Sequence, residues 1–345
     1  MVPPLITHLY TADPSAHVFD GKIYVYPSHD RDSGIEFNDN GDQYDMNDYH
    51  VFSTPSIDPP ALVTDHGVAL RVEDVPWASK QLWAPDAAER DGVYYLYFPA
   101  RDKEGIFRIG VARAKKPEGP FTADPDYIPG TYSIDPAVLV DDVPADNDAS
   151  DATPAYLYFG GLWGGQLQCY QGPSGRGDGN AETYDAAWLG PKEPSGEGVA
   201  AMGPRVARLD PATMGALAEP VRTIQILAPE TGRPIAADDH DRRFFEAAWM
   251  HKRNGLYYFS YSTGDTHYLC YATGTSPYGP FTYRGRLLEP VVGWTTHHSV
   301  VEFKGRWYLF HHDSSLSGGV SHLRSVKVKE IFYNAAGDIV SEPEA

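Results

Sequence analysis

The chain has little cysteine and no long apolar run, and both shortages restrict what it can be. Cys169 and Cys270 are the only cysteines among 345 residues, so a disulfide framework is excluded and both are expected to be buried thiols. No segment approaches the roughly 20 consecutive apolar residues that cross a bilayer. The amino terminus lacks a charged region followed by an apolar stretch, so a cytoplasmic location is expected.

Basic residues are also in short supply, with 28 Lys and Arg against 47 Asp and Glu and a net charge of −19. Such a surface repels polyanions, so neither nucleic acid nor an anionic membrane is an expected partner. Helix signals are scarce, whereas 23 Tyr, 14 Phe, 33 Gly and 29 Pro are typical of strands interrupted by turns. Composition therefore indicates an all-β protein.

An internal repeat organises the chain. A short turn followed by an aromatic strand occurs five times, in segments that begin at Phe19, Arg90, Ala152 (a degenerate copy), Arg253 and Phe303. Asp-Gly or Asn-Gly between two apolar runs predicts a two-residue hairpin, because both positions tolerate positive φ. A recurrence of roughly 50 to 100 residues suits four-stranded blades around an axis. We therefore predict a five-bladed β-propeller that forms a single domain over residues 1–345.

Four polar residues precede these repeats at similar offsets, namely Asp13, Asp135, Glu246 and His297. Seven or eight strand residues span ~25 Å, so each side chain is expected near the same end of its blade's innermost strand. The four groups should then converge on the propeller axis. Glu246 is offset by one residue, which predicts a β-bulge that restores the direction of its side chain.

The chemistry of these residues indicates a site for general acid–base catalysis. Two carboxylates across a pocket can act as general acid and general base when their surroundings separate their pKa values. Proline follows Asp13 and Asp135 and should restrict both aspartates to extended conformations. Glu246 lies among aromatic residues, so burial should raise its pKa as a general acid requires. Adjacent strand residues face opposite sides, and the repeat register favours His297 over His298 as a cation ligand.

Three stretches are interpreted as loops. Residues 29–48 are strongly acidic but lack the EF-hand spacing, which favours a solvated loop near the mouth of the site. Residues 141–154 and 172–198 interrupt the repeat pattern and are expected at the surface. Candidates for closing the pocket, without any motif, are Phe37, Tyr44 and His240.

Five motifs occur in order along the chain: TADPSAHVFDGKIYVY, WAPDAAERDGVYYLYF, YSIDPAVLVDD, FFEAAWMHKRNGLYYFSYS and TTHHSVVEFKGRWYLF. Together they resemble glycoside hydrolase family 43 over essentially the whole chain. The resemblance implies an inverting mechanism that releases a pentose. It also implies that Asp13 is the general base, Glu246 the general acid, and Asp135 the carboxylate that tunes Glu246 and orients the substrate.

The resemblance extends to a cation and to residues that contact the sugar. It implies a central calcium ion at His297, although Thr296-His297-His298 replaces the more usual Gly-His of the family. Arg324 matches an arginine that hydrogen-bonds the terminal sugar, as its planar fork of donors allows. Trp83, and less directly Trp77 and Trp294, are candidates for apolar walls against a sugar ring.

Within this family the chain most resembles single-propeller β-xylosidases, which implies xylo-oligosaccharides or arabinoxylo-oligosaccharides as substrates. An α-L-arabinofuranosidase or a bifunctional enzyme is the main alternative. A retaining enzyme related to invertases and a non-catalytic carbohydrate-binding propeller also remain open. The pocket is expected to be closed by loops or by a partner subunit in a homo-oligomer.

Overall fold

The computed structural model describes residues 3–142, 153–170, 184–189 and 193–343. These residues form 22 β-strands and four 3-10 helices of three residues each. The short helices are Val72–Asp74, Trp163–Gly165, Leu167–Cys169 and Ala186–Trp188. Within the described part of the chain no helix has the length and apolar character needed to span a membrane. Much of the predicted loops 141–154 and 172–198 lies outside the described residues.

The strands form five sheets that follow one another along the chain. Blade one contains β1 (Tyr10–Phe19), β2 (Lys22–Asp30), β3 (Asp48–Thr54) and β4 (Thr64–Arg71). Blade two contains β5 (Ala78–Lys80), β6 (Asp86–Arg90), β7 (Val93–Asp102), β8 (Phe107–Ala114) and β9 (Thr122–Ala123). Blade three contains β10 (Ala137–Val140), β11 (Ala155–Phe159), β12 (Arg205–Arg208) and β13 (Arg222–Thr223).

Blade four contains β14 (Ile226–Leu227), β15 (Glu246–Arg253), β16 (Leu256–Ser262), β17 (Leu269–Gly274) and β18 (Phe281–Leu288). Blade five contains β19 (His298–Phe303), β20 (Arg306–Asp313), β21 (Ser325–Tyr333) and β22 (Ile339–Val340). Pairing is antiparallel in all five sheets except between β14 and β18, which run parallel.

The blades close into a ring around their innermost strands. The strands β1, β6, β10, β15 and β19 each neighbour the innermost strands of the two adjacent blades. The amino-terminal segment joins blade one to blade five, where the N–H of Leu5 donates to Val326 O at 2.7 Å and that of Thr11 to Arg324 O at 2.9 Å. The predicted all-β, five-bladed propeller is therefore confirmed.

Four of the predicted hairpins have the expected two-residue turns. In blade one, Asp20 and Gly21 connect β1 to β2 with φ of 49° and 71°, and Lys304 and Gly305 in blade five have φ of 53° and 77°. Successive positive φ values match the right-handed twist of the flanking strands. In blade three, β10 pairs with β11 across the longer connection that the degenerate repeat indicated.

Two irregularities in the innermost strands shape the end of the axis. The pairing of β15 shifts register between Glu246 and Trp249, as predicted, and that of β1 shifts between Ala12 and Ser15. The expectation of extended aspartates was wrong, because Asp13 and Asp135 have φ of 48° and 58°. Tertiary hydrogen bonds, described below, hold these residues in the left-handed region despite the following prolines.

Candidate active site

A pocket opens at the end of the propeller axis where the innermost strands begin. Its empty volume, open mouth included, is about 660 Å³, which lies in the range of small-ligand sites. All predicted site residues except Trp77 line it: Asp13, Trp83, Asp135, Glu246, Trp294, His297 and Arg324. The loop between β2 and β3 contributes Phe37 and Tyr44, as expected for a loop at the site mouth.

Asp13 lies buried on the pocket floor in a network of donors. Its Oδ1 accepts a hydrogen bond from Arg324 Nη1 at 2.9 Å, and its Oδ2 accepts one from Ser28 Oγ at 2.7 Å. Burial opposes ionisation, but the positive charge of Arg324, together with the hydrogen bond from Ser28, outweighs it and holds the pKa of Asp13 below its usual value. The Asp13 side chain is therefore a carboxylate that can accept a proton.

Arg324 is a buried cation that links two aspartates. Its Nε and Nη2 donate to the two carboxylate oxygens of Asp30, each at 2.8 Å, and its Nη1 also donates to Thr295 Oγ1 at 3.0 Å. The charges of Asp13 and Asp30 raise the pKa of Arg324 although burial opposes this. Since a guanidinium has five N–H groups, one N–H of Nη2 is free among these contacts to bind a sugar hydroxyl.

His312 orients Asp13 through a hydrogen bond with its backbone. The backbone N–H of Asp13 donates to His312 Nδ1 at 2.9 Å, so the ring proton must lie on Nε2, which donates to Thr295 O at 3.0 Å. Burial, with the charge of Arg324, lowers the pKa of His312 to about 3. The ring is a neutral imidazole with a defined tautomer, and it holds Asp13 in its unusual backbone conformation.

Sequence reasoning missed Ser28, Asp30 and His312. A signal existed, because the second strand of each hairpin returns to the end at which the first began. Strands β2 and β20 finish with Ser28-His29-Asp30 and His311-His312-Asp313, so their polar ends could have been assigned to the end of the axis at which the pocket lies.

Glu246 and Asp135 form a coupled pair with different surroundings. Burial raises the pKa of Glu246 to about 8, helped by the negative charge of Asp13, while Arg324 acts in the opposite direction. Burial, with the charge of Glu246, also raises the pKa of Asp135. Asp135 Oδ2 accepts the N–H of Ala247 at 2.7 Å, whereas the Glu246 carboxyl accepts no hydrogen bond from the described residues. That bond favours the charged form of Asp135 and opposes its burial, whereas the burial of Glu246 is opposed only by the charge of Arg324.

The two adjacent histidines point in opposite directions, as predicted. His298 Nε2 contacts Ser260 Oγ at 2.6 Å, between blades five and four. His297 faces the pocket, where its Nδ1 lies 3.8 Å from Asp13 Oδ1 and 4.0 Å from Asp135 Oδ2. Burial lowers the pKa of His297 to about 4, so its lone pair is available. One imidazole near two carboxylates fits a cation such as calcium only if water supplies most of its six to eight ligands.

Aromatic rings form the pocket wall. Trp83 Nε1 donates to Tyr44 O at 2.8 Å, which fixes the indole plane. Trp294 packs against Trp163 and Phe245, with ring centroids 5.6 and 6.0 Å apart. Both partners line the pocket. Phe245 belongs to the aromatic surroundings expected for Glu246, whereas Trp163 was missed because no repeat or motif marks its position.

Two predicted residues lie elsewhere. Trp77 stacks on Phe98 at 5.9 Å and packs edge-on against Tyr127 in the core of blade two, so its interpretation as a sugar wall was wrong. The segment around it packs into the hydrophobic core, which an indole satisfies equally well. His240 is outside the pocket lining and pairs with Asp265 at 2.7 Å.

Comparison with known proteins agrees with this geometry. The sequence profile described as "Glycosyl hydrolases family 43" matches residues 6–166. A xylosidase/arabinosidase 43A from Humicola insolens is 73% identical over 339 residues, which cover 98% of both chains. A beta-xylosidase from Xylanibacter ruminicola is 51% identical, and the alignment covers 96% of both chains.

Solved structures are similar throughout. A beta-xylosidase/alpha-arabinofuranosidase from a compost microbial metagenome, CoXyl43, crystallised with xylotriose in a calcium-free form, has a TM-score of 0.89 and 57% identity. The match covers 99% of this chain and 97% of that one. An enzyme from Xanthomonas citri complexed with xylotriose has a TM-score of 0.86 and 55% identity, with 99% and 93% coverage.

Proposed function

The chain belongs to glycoside hydrolase family 43, and we propose that it is an inverting, exo-acting enzyme that releases xylose from the non-reducing ends of β-1,4-xylo-oligosaccharides. The observation that supports this most directly is the pairing of an ionised Asp13 with a protonated Glu246 in one aromatic pocket. A general base and a general acid are thus in their required protonation states before substrate binds.

In the proposed reaction, Asp13 takes a proton from a water molecule whose oxygen attacks the anomeric carbon. Glu246 gives its proton to the glycosidic oxygen as the bond between carbon and that oxygen breaks. Inversion requires the water between the base and the sugar, with the two carboxyl groups roughly 6.5–9.5 Å apart. Asp135 lies beside Glu246 and is assigned the orientation of the substrate, and Arg324 holds Asp13 and binds a hydroxyl of the terminal sugar.

Exo-action is supported by the form of the pocket. Asp13, His297 and Arg324 are buried, whereas Phe37 in the loop between β2 and β3 is exposed. We expect a terminal xylose to enter past this loop with its apolar face against Trp83. An internal sugar would need a second exit for the chain.

Removal of arabinose is the second candidate activity, since the Humicola insolens and compost relatives are named for both pentoses. The test compares initial rates on 4-nitrophenyl β-D-xylopyranoside, 4-nitrophenyl α-L-arabinofuranoside and xylobiose, with Glu246→Ala as control. Dominant turnover of the xyloside and xylobiose is expected. Dominant arabinoside turnover would favour the alternative, and no turnover of any substrate would favour a carbohydrate-binding propeller.

Stereochemistry separates the proposed mechanism from the retaining one. Proton NMR during hydrolysis of 4-nitrophenyl β-D-xylopyranoside, whose one sugar product is the released xylose, should first detect α-xylose, because an inverting reaction reverses the β configuration. Initial formation of β-xylose would contradict the assigned role of Asp13 and make it a nucleophile.

We also propose that a calcium ion binds beside His297, with water as most of its shell. When bound, the ion would supply positive charge near the catalytic carboxylates. Calorimetric titration of calcium into the chelator-treated chain should show one site that His297→Ala abolishes. Binding that survives this substitution would contradict the assignment. The cytoplasmic location and closure by a partner subunit stay predictions.

A further inference from the structure

A cluster of three polar side chains lies on blade one outside the pocket. His29, Asp48 and His50 each offer one ligand atom, and these atoms all lie within 4.8 Å of one another. The cluster is built on paired strands, since Ser28 in β2 lies opposite Tyr49 in β3 and His29 therefore faces Asp48. Asp48 and His50 are two residues apart and project from the same face of β3. Regular strand geometry thus positions all three groups.

A fourth residue orients one of the imidazoles. His50 Nδ1 lies 3.1 Å from Asp65 Oδ1, and Asp65 also accepts the N–H of Gly67 at 2.7 Å and contacts His8 Nε2 at 2.9 Å. With a carboxylate at Nδ1, the proton of neutral His50 lies there and the lone pair of Nε2 is free. Metal-binding histidines have this arrangement, in which a carboxylate fixes the ring through its other nitrogen.

We propose that His29, Asp48 and His50 bind a zinc ion, with water as the fourth ligand. Two imidazole nitrogens and one carboxylate oxygen form a ligand set that suits zinc better than it suits calcium or magnesium. Tetrahedral ligands about 2.0–2.1 Å from zinc lie about 3.3 Å from one another. The side chains therefore need only small rotations, and the ion replaces the 2.6 Å contact between His29 Nδ1 and Asp48 Oδ1.

The position of the cluster links it to the pocket. His29 lies one residue before the end of β2 and Asp48 begins β3, so the ion would join the two ends of the intervening loop. That loop supplies Phe37 and Tyr44 to the pocket wall. Zinc is therefore expected to slow amide hydrogen exchange in residues 31–47. Zinc binding at this cluster does not require the proposed glycosidase activity.

Binding is measured by calorimetric titration of zinc into the full chain with saturating calcium present to occupy the site at His297. One saturable zinc site is expected, and His50→Ala should raise its Kd at least ~10-fold. His66→Ala is the matched control, because His66 lies in the same blade but bonds Ser53 Oγ at 2.8 Å. Cobalt substituted for zinc should show the visible absorption of a tetrahedral ion, lost in His50→Ala and retained in His66→Ala.

A second variant changes affinity in the opposite direction. Arg71 Nη1 lies 3.7 Å from Asp48 Oδ2, so its charge opposes a cation there. Arg71→Ala should lower the Kd for zinc several-fold, an effect that damage to the fold would not produce. Absence of saturable zinc binding would overturn the proposal, and so would a Kd that is unchanged in both His50→Ala and Asp48→Asn. Loss of zinc binding in His297→Ala, with binding retained in His50→Ala, would likewise overturn it.

Discussion

Replacing Glu246 with glutamine should abolish hydrolysis of natural substrates while leaving activated ones partly reactive. The carboxyl is the proposed acid, and burial raises its pKa from 4.5 to about 8. At pH 7 such a group is about 90% protonated, compared with about 0.3% for a glutamate of ordinary pKa. The pocket therefore increases the competent acid form about 300-fold at this pH.

The magnitude of the loss depends on the leaving group. The leaving group of xylobiose is a hydroxyl oxygen of its second xylose, which is poorly acidic and must be protonated as the bond breaks. The kcat of Glu246→Gln on xylobiose should therefore fall ~100- to 10,000-fold. The 4-nitrophenolate of the aryl xyloside leaves without protonation, so its rate should fall much less. Wild-type kcat/KM for xylobiose should decline above pH ~8, and the variant should lack this limb.

The assay measures initial rates on both substrates from pH 4 to 10, with Glu302→Gln as matched control. Glu302 lies on innermost strand β19 but is exposed and lies outside the active pocket. Equal losses on the two substrates, or an unchanged basic limb in Glu246→Gln, would refute the assignment of Glu246 as acid.

The same pKa also has a consequence for stability. In the unfolded chain Glu246 ionises near pH 4.5, but in the fold it stays protonated to about pH 8. Its raised pKa thus favours the folded state below pH 4.5, and this contribution is lost as pH rises to 8. Glu246→Gln should therefore have a higher Tm than wild type at pH 8, with a smaller difference at pH 4.

Three further perturbations test the rest of the site. Asp13→Asn should lower kcat at least ~100-fold, because an amide cannot take the water proton. The Tm of this variant should be lower than that of wild type at pH 7. The difference in Tm should shrink as pH falls through the depressed pKa of Asp13, because protonation removes the stabilising charge of the wild-type carboxylate. Arg324→Lys should move the acidic limb of kcat/KM to higher pH and raise KM, since an ammonium cannot contact Asp13 and Asp30 together in the same geometry. Trp83→Ala should raise KM. Trp77→Ala should instead lower the free energy of unfolding by ~3–5 kcal/mol and leave KM unchanged. A raised KM in Trp77→Ala would contradict the placement of Trp77 in the core of blade two.

Much of the fold was predictable because its signals are local. An Asp-Gly or Asn-Gly turn between apolar strands depends on the φ preferences of two residues, so hairpins such as β1–β2 and β15–β16 follow from a few letters. Counting back from those turns located Asp13, Glu246 and His297 at one end of the axis, because strand residues have a constant rise.

Other features depend on contacts between residues that are distant in sequence. His312 contacts the backbone of Asp13 across 299 residues, and Asp30 contacts Arg324 across 294. Closing the ring of blades creates both contacts, and no local pattern encodes them. They also explain the failed expectation for Asp13, since a tertiary hydrogen bond outweighed the preference that proline imposes on its predecessor.

Trp77 and Trp83 show the same division between local and long-range information. Both are indoles in one segment, and their local sequences do not distinguish a core ring from a pocket ring. Packing against Phe98 buries Trp77 in blade two, whereas the hydrogen bond to Tyr44 O directs Trp83 to the pocket. The residue types and their register therefore follow from the chain, while the protonation of Glu246, the charge on Asp13 and the form of the pocket arise only when five blades exclude water from the axis.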